Sequence, residues 1–477
     1  MRNRIGPKRC LTIASIAVAI GAPPALAETP DETPVVEQLL DIMRSKGDID
    51  DEQHDALLDQ ARGEREALLA SKPAPKAEAN SPRISTRYDG LRVESQDGKF
   101  KFRVGGRIQA DANVFDQDKT RLGDGMELRR ARIKAQGTLY NDFAYKLEVN
   151  FDPDGKVLIT DGWISYKGFK PLGLPLVLTA GHQKVPFSQQ SMTSSNWQVF
   201  QERSMQDSFV DNPATGRRRL GLVGRSYGDN WLLSLGFFGE GVDYPGEQDE
   251  NFGTAGRLLF YPLIEDRKFV ALGGAVYYRD WRRNEIPGTA VGDLKFAARP
   301  EAHIAGSKLI DTGELFNVDN LLMYNLQATG VFGSFHAQAE YTGSRVNRKG
   351  DTDPDLNFGG WYIQAGYFLT GEQRNYDRRS GKYRRIAPKS VVGDGGFGAW
   401  EIAARYSEMD LTSKNIKGGK ERNVTLGLNW WLNRSLMLRL NYVYANPHPG
   451  SSQLPENRGR GVNQRINILE GRAQVVF

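Results

Sequence analysis

Arg130, Arg132 and Lys134 recur at every second position, Gln136 continues the row, and Ala131, Ile133 and Ala135 fill the alternate positions. Successive side chains of an extended chain point to opposite faces, so this spacing sets three cations on one face and an apolar row on the other. Arg107 stands in a similar row with Gln109 and Asp111. A guanidinium stays charged and donates two parallel hydrogen bonds from a planar fork, which matches phosphate and carboxylate. Rows of such groups along a wet wall select anions at close quarters. The same rows also serve as ordinary wall charges, paired with carboxylates such as Asp111 and Glu148. Arg217-Arg218-Arg219 is a third concentration of positive charge and equally describes a solvated face.

Other chemistries find little support. The five histidines (His54, His182, His303, His336, His448) are scattered, with no HExxH pair, and neither a GxSxG nor a Walker A stretch occurs. Gly105-Gly106 lies inside a strand pattern and reads as a bend or a close-packing site. Basic residues do not interleave with aromatics as a nucleic-acid groove requires. These residues imply no enzyme, no cofactor, no metal site and no nucleic-acid partner.

Such rows need a scaffold that is apolar on one side and wet on the other. In residues 144–151, Tyr145, Leu147, Val149 and Phe151 face one way, and Lys146, Glu148 and Asn150 face the other. That charged face would be very costly inside a soluble core and is at ease against a water-filled lumen. About sixteen alternating segments run from 100–114 to 465–477, an even number, as single-chain bacterial barrels have. Short connections (141–143, 227–230, 330–334, 433–435) alternate with longer ones (185–218, 239–253, 280–319). This is the pattern of short periplasmic turns and long outer loops. The segment 370–399 breaks it, being long and basic where a short turn is expected. The last strand, Arg465 to Phe477, alternates and closes on an aromatic residue. Only 39% of the 477 residues are hydrophobic. Beyond the amino terminus no apolar run approaches the roughly 20 residues of a membrane helix.

The amino terminus reads as a secretory signal over residues 1–27: Arg2, Arg4, Lys8 and Arg9, then Leu11 to Ile20, then Ala25-Leu26-Ala27 before a mature start at Glu28. The one cysteine, Cys10, lies within it. Removing the signal lowers the formal charge from +5 to about +1; residues 28–80 hold about −8 and the rest about +9. Residues 28–70 read as a helical periplasmic leader, with Asp48 or Asp50 capping its second helix. Residues 71–89 read as a Pro/Ala-rich linker and 90–477 as the barrel.

Gly90–Asp116 (GLRVESQDGKFKFRVGGRIQADANVFD), Leu128–Ala131 (LRRA), Tyr362–Glu372 (YIQAGYFLTGE), Ala399–Tyr406 (AWEIAARY) and Leu426–Asn433 (LGLNWWLN) occur in order along residues 90–477. They resemble the phosphate-selective porin O/P family of outer-membrane porins. The resemblance implies an all-β, 16-stranded antiparallel transmembrane barrel with a short amino-terminal helical segment, in the outer membrane of a Gram-negative bacterium, surrounded by its lipid. It also implies a homotrimer and small anionic solutes as partners. By family position Arg107, Arg129 and Arg130 contribute to an arginine-lined route, and Arg203 belongs to a central anion site. Lys295 and Arg299 fall where phosphate-specific members carry a dense arginine ladder. Ala144, Ser191 and Asn196 fall where those members carry lysines, and Thr160, beside Asp161, where they carry an aspartate. The reading is a porin for passive diffusion biased toward phosphate-type anions by Arg107, Arg129, Arg130, Arg132, Lys134, Arg203, Lys295 and Arg299. The alternative is a general, carbohydrate or carboxylate porin without a phosphate site, using Trp163 and Trp197 as stacking surfaces.

Overall fold

A computed structural model describes residues 35–46, 49–50, 53–61, 63 and 81–477, apart from 152–154, 213–214, 243–249, 282–293, 351–352 and 449–463. The signal segment 1–27 and residues 71–80 of the expected linker lie outside the described residues. The chain divides into two units, Met1–Ala79 and Asn80–Phe477.

In the first unit, helix α1 (Val35–Lys46) carries Glu37 in its first turn and Arg44 and Lys46 in its last, each sign matched to the helix dipole. Residues 53–61 are helical. Asp50 Oδ1 accepts from the Gln53 backbone N at 2.7 Å, and Gln53 Oε1 accepts from the Asp50 N at 3.2 Å. This reciprocal capping box satisfies two donors that the helix leaves free.

In the second unit, sixteen strands among the described residues follow one another round a barrel: β1 (Lys101–Gln117), β2 (Gly125–Leu139), β3 (Phe143–Phe151), β4 (Val157–Phe169), β5 (Leu176–Lys184), β6 (Arg218–Tyr227), β7 (Trp231–Phe238), β8 (Gly253–Glu265), β9 (Lys268–Asp280), β10 (Val318–Phe332), β11 (Phe335–Arg348), β12 (Leu356–Phe368), β13 (Ala399–Ser413), β14 (Ile416–Trp431), β15 (Leu436–His448) and β16 (Ile466–Val476). Each pairs antiparallel with the next, and β16 pairs with β1 from Ile466↔Gln117 to Val476↔Arg107, so the sheet closes. Alternation decides the faces. Along β15, Leu436, Leu438, Leu440 and Tyr442 are exposed, while Met437, Arg439, Asn441 and Val443 are buried. An exposed apolar row continued round the barrel is a lipid-facing surface. Aromatic pairs bound it toward both rims: Trp400–Trp430 at 4.9 Å and Phe143–Tyr166 at 4.8 Å toward the rim that carries both ends of the barrel chain, Trp361–Tyr406 at 5.2 Å toward the other.

The closure ends on the chain terminus. Gly106 N donates to Phe477 O at 2.7 Å, and Phe477 N donates to Gly106 O at 3.1 Å. Below that point β1 runs past the end of β16 and has an edge to cover. Arg83–Arg87 pairs with Gly90–Glu94, and Gly90–Glu94 pairs with β1 over Lys101–Val104. Residues 83–87, expected as linker, are therefore a strand: an unpaired sheet edge costs hydrogen bonds, and this hairpin supplies them. Asp89 at its turn holds Arg92 at 2.6 Å and also pairs with Arg103.

The connections at the chain-end rim are short (140–142, 228–230, 266–267, 333–334), with the expected exception of 369–398. At Gly105 an added Cβ would lie 2.5 Å from Phe477 O and 2.6 Å from Asp89 O, both backbone atoms. Gly105→Val is expected to destabilise the barrel by about 1–3 kcal/mol. Its urea midpoint and heat-modifiable gel mobility check this against Gly224→Ala, whose Cβ would make ordinary contacts with the Leu178 and Leu176 side chains at 3.6 and 3.8 Å.

Candidate functional site

Two outer connections and the inserted turn fold into the lumen, and wall side chains hold them there. In the 185–217 connection, Phe187, Val199, Phe200 and Phe209 are buried. Its short helix Gln189–Met192 starts on Glu340 of β11, which accepts from the backbone N of Gln189 and of Gln190, each at 2.9 Å. Arg439 donates to the carbonyls of Phe200 and Gln198 at 2.7 Å, and Arg472 to that of Gln201 at 2.7 Å. Glu301, in the 281–317 connection, accepts from Ser407 at 2.6 Å, Thr425 at 3.0 Å and the Met205 backbone N at 3.2 Å. A buried carboxylate satisfied by several donors is a strong tether.

These segments leave a cavity of about 1030 Å³ against β1–β6. Eighteen Arg and Lys side chains and five carboxylates line it. Seven of the eight residues singled out from the sequence are among them: Arg107, Arg129, Arg130, Arg132, Lys134, Arg203 and Arg299. Lys295 is not. Ala297–Ala298 pairs with Ile310–Asp311, and this small hairpin sets Lys295 beside Asp311 at 3.2 Å and Glu314 at 3.8 Å.

The seven do different work. Arg107 donates to Asn196 Oδ1 at 2.8 Å and Glu148 at 2.9 Å; Arg132 donates to Asn150 at 2.9 Å and the same Glu148 at 3.0 Å. Arg129 pairs with Glu202 at 3.0 Å, and Arg130 donates to Gln109 at 2.9 Å with Glu202 at 3.7 Å. Burial would raise the Glu202 pKa, but Arg129, Arg130 and Arg472 hold it well below the usual carboxylate range. Arg203 donates to the carbonyls of Gln190 at 3.0 Å and Thr193 at 3.1 Å, fastening its own loop; burial and then Arg217 bring its pKa down to about 10, so it stays charged at neutral pH. Among the described residues Lys134, Lys184, Arg225, Arg299, Arg379 and Lys382 line the cavity without an ion pair.

Lys146, Lys184, Arg225 and Lys382 also line the cavity and were not singled out, and Arg217 and Arg218 of the Arg217-Arg218-Arg219 run join them. Lys146 was legible, since it shares the wet face of β3 with Glu148. Lys184 fastens the loop by donating to the Ser191, Met192 and Thr193 carbonyls at 2.6, 3.1 and 3.2 Å. Thr160 is the extra residue of a bulge in β4, which turns Asp161 into the lumen, where it binds Arg218 at 3.0 Å and pairs with Lys146. Lys382 comes from the 369–398 turn, which strand parity does not describe.

The model of the phosphate-selective porin O and P family matches residues 102–477. An uncharacterized protein of Caulobacter vibrioides is 29% identical over 423 residues, 86% of this chain and 80% of its own. Porin O of Pseudomonas aeruginosa is 26% identical over 414 residues, 80% of this chain and 91% of its own. Among solved structures, the anion-selective porin from Comamonas acidovorans shares the fold with a TM-score of 0.51 at 13% identity, over 79% of this chain and 100% of its own.

Burial brings the Lys382 pKa down to about 7, Arg384, Arg225 and Lys146 adding to the effect and Asp377 opposing it. Below that pH the ammonium is charged, and it is lost as pH rises. Anion preference, read as reversal potential under a salt gradient, is expected to fall between about pH 6 and pH 8. Lys382→Met is expected to flatten that step.

Proposed function

The chain belongs to the phosphate-selective porin O and P family and is an outer-membrane porin, and from that premise we propose how its lumen chooses solutes. Small hydrated anions diffuse down their gradient through the cavity beside β1–β6. The observation that carries this reading is the set of cations that, among the described residues, line the cavity with neither an ion pair nor a carbonyl tether: Lys134, Arg225, Arg299, Arg379 and Lys382. Their fields are not cancelled at short range, and a narrow lumen with low-dielectric walls focuses them. Arg107, Arg129, Arg130 and Arg132 shape the path, but Glu148 and Glu202 offset much of their charge.

The family's name brings phosphate forward as a solute. The pairing of those four arginines favours a second reading, a general anion pore without a dedicated phosphate site. The sugar reading loses a surface, since Arg385 covers a face of the Trp197 ring at 5.0 Å. In keeping with the family resemblance, the protein is a homotrimer with residues 1–27 as its cleaved signal and 28–70 as a periplasmic leader.

The deciding experiment is reversal potential in a planar bilayer under a KCl gradient, then titration of phosphate into the chloride solution. Anion selectivity with chloride current blocked by phosphate supports the phosphate-type reading; anion selectivity without block supports the general pore. Weak or cation selectivity overturns the anion mechanism. Lys134→Glu and Arg299→Glu are each expected to lower the anion-to-cation permeability ratio by roughly two- to tenfold.

A further inference from the structure

Four side chains from four separate segments stack at the chain-end mouth of the lumen. Arg434, in the turn after β14, lies over one ring: its guanidinium carbon is 4.9 Å from the centroid of Tyr88. Arg385, in the 369–398 turn, lies 4.8 Å from the same ring and 5.0 Å from the ring of Trp197. Tyr88 belongs to the turn of the amino-terminal hairpin, and Trp197 to the 185–217 connection that narrows the lumen. Hydrogen bonds fix the contact. Arg385 Nη1 donates to the carbonyls of Tyr88 at 2.8 Å and Arg434 at 2.7 Å, and Ser435 Oγ donates to Tyr88 O at 3.1 Å. Within the same turn Arg374 donates to the Trp197 carbonyl.

We propose that Tyr88 and Arg385 are positioning residues of the pore: the stack Arg434–Tyr88–Arg385–Trp197 locks the 369–398 turn against the narrowing loop and so sets the conductance. The aromatic faces attract the guanidinium groups. The hairpin thereby does two things. It covers the open edge of β1, and it supplies the outer ring that clamps Arg385. The clamp matters because the turn it holds carries Arg379, Lys382 and Arg384 into the cavity lining. With the clamp released, the turn has fewer ties to the wall, the mouth widens and these cations leave their places. The effect on anion bias rests on the functional reading above; the effect on conductance does not.

The test is single-channel conductance of the full-length protein in planar bilayers, with heat-modifiable mobility as the control for a folded barrel. Tyr88→Ala is expected to raise conductance at least twofold and to lower the anion-to-cation permeability ratio. Tyr88→Phe keeps the aromatic face and is expected to match the unmodified pore. Arg385→Gln, which changes the turn and not the barrel wall, is expected to repeat the Tyr88→Ala result and carries the test if Tyr88→Ala does not fold. Unchanged conductance in folded Arg385→Gln overturns the proposal, as does a Tyr88→Phe pore that behaves like Tyr88→Ala. An unmodified pore lacking anion bias would defeat the functional reading alone, since conductance still reports the clamp.

Discussion

The seam between the first and last strands is the constraint on which the rest of this structure depends. Every other strand meets a neighbour supplied by a short connection or a loop, whereas β16 must find β1 across the whole chain. It does so by a continuous ladder from Ile466↔Gln117 to Val476↔Arg107, finished by the paired hydrogen bonds of Phe477 and Gly106. On the lumen side the seam carries charge: Arg472 meets Asp111 at 2.7 Å and Glu202 at 3.0 Å. Closure is what makes that charge tolerable. An open sheet would present the same row to lipid, where an unhydrated ion is severely disfavoured. The glycines at 105 and 106 follow from the seam, because the terminal residue and the hairpin turn approach β1 too closely for a side chain.

Once the barrel is closed, its inward positions sort into two kinds of cation. Arg439, Arg472, Arg203 and Lys184 donate to backbone carbonyls of the 185–217 connection, whose irregular chain has carbonyls without sheet partners. Buried carbonyls need such donors, so these cations hold the narrowing loop in place. Glu340 and Glu301 do the complementary task for N–H and O–H groups. The second kind, with no carbonyl of that connection to hold, borders the same cavity that Arg203 and Lys184 also line. Part of it is shared with carboxylates, as Arg107 and Arg132 share Glu148. Only the cations left over contribute an uncompensated field.

This division explains what could be read in the sequence. Alternation with period two gave the barrel, its strand count and the lumen face of Arg107, Arg130, Arg132 and Lys134, because a closed sheet fixes facing by parity alone. Parity fails wherever the backbone departs from the ladder. The bulge at Thr160 turns Asp161 into the lumen, one residue from the position where the family resemblance places an aspartate. The small hairpin around Ala297–Ala298 carried Lys295 away from the cavity, although it sits only four residues from Arg299. Residues 83–87 look like linker beside the Pro/Ala-rich run that precedes them, and they become a strand only because β1 overhangs β16. Nor does residue type distinguish a cation spent on a carbonyl from one bordering the cavity: Arg203 donates to the Gln190 and Thr193 carbonyls, whereas among the described residues Arg299 lines the cavity without an ion pair.

In the proposed function the selective field is composite, and the inserted 369–398 turn supplies part of it. Lys134 and Arg225 come from the wall, Arg299 from an outer connection and Lys382 from this turn. Arg379 comes from the same turn, and Arg225 lies near enough to Lys382 to help lower the pKa of its ammonium group. In the proposed function an anion meets successive weak sites, which suits conduction, since a solute must be attracted strongly enough to enter and released easily enough to leave. One deep site built from adjacent cations would hold its ligand and slow the flow. The arginines that are adjacent in this lumen, Arg129, Arg130 and Arg132, are also the ones whose charge is offset by Glu202 and Glu148. The proposed arrangement therefore separates the charges that attract solute from those that shape the wall.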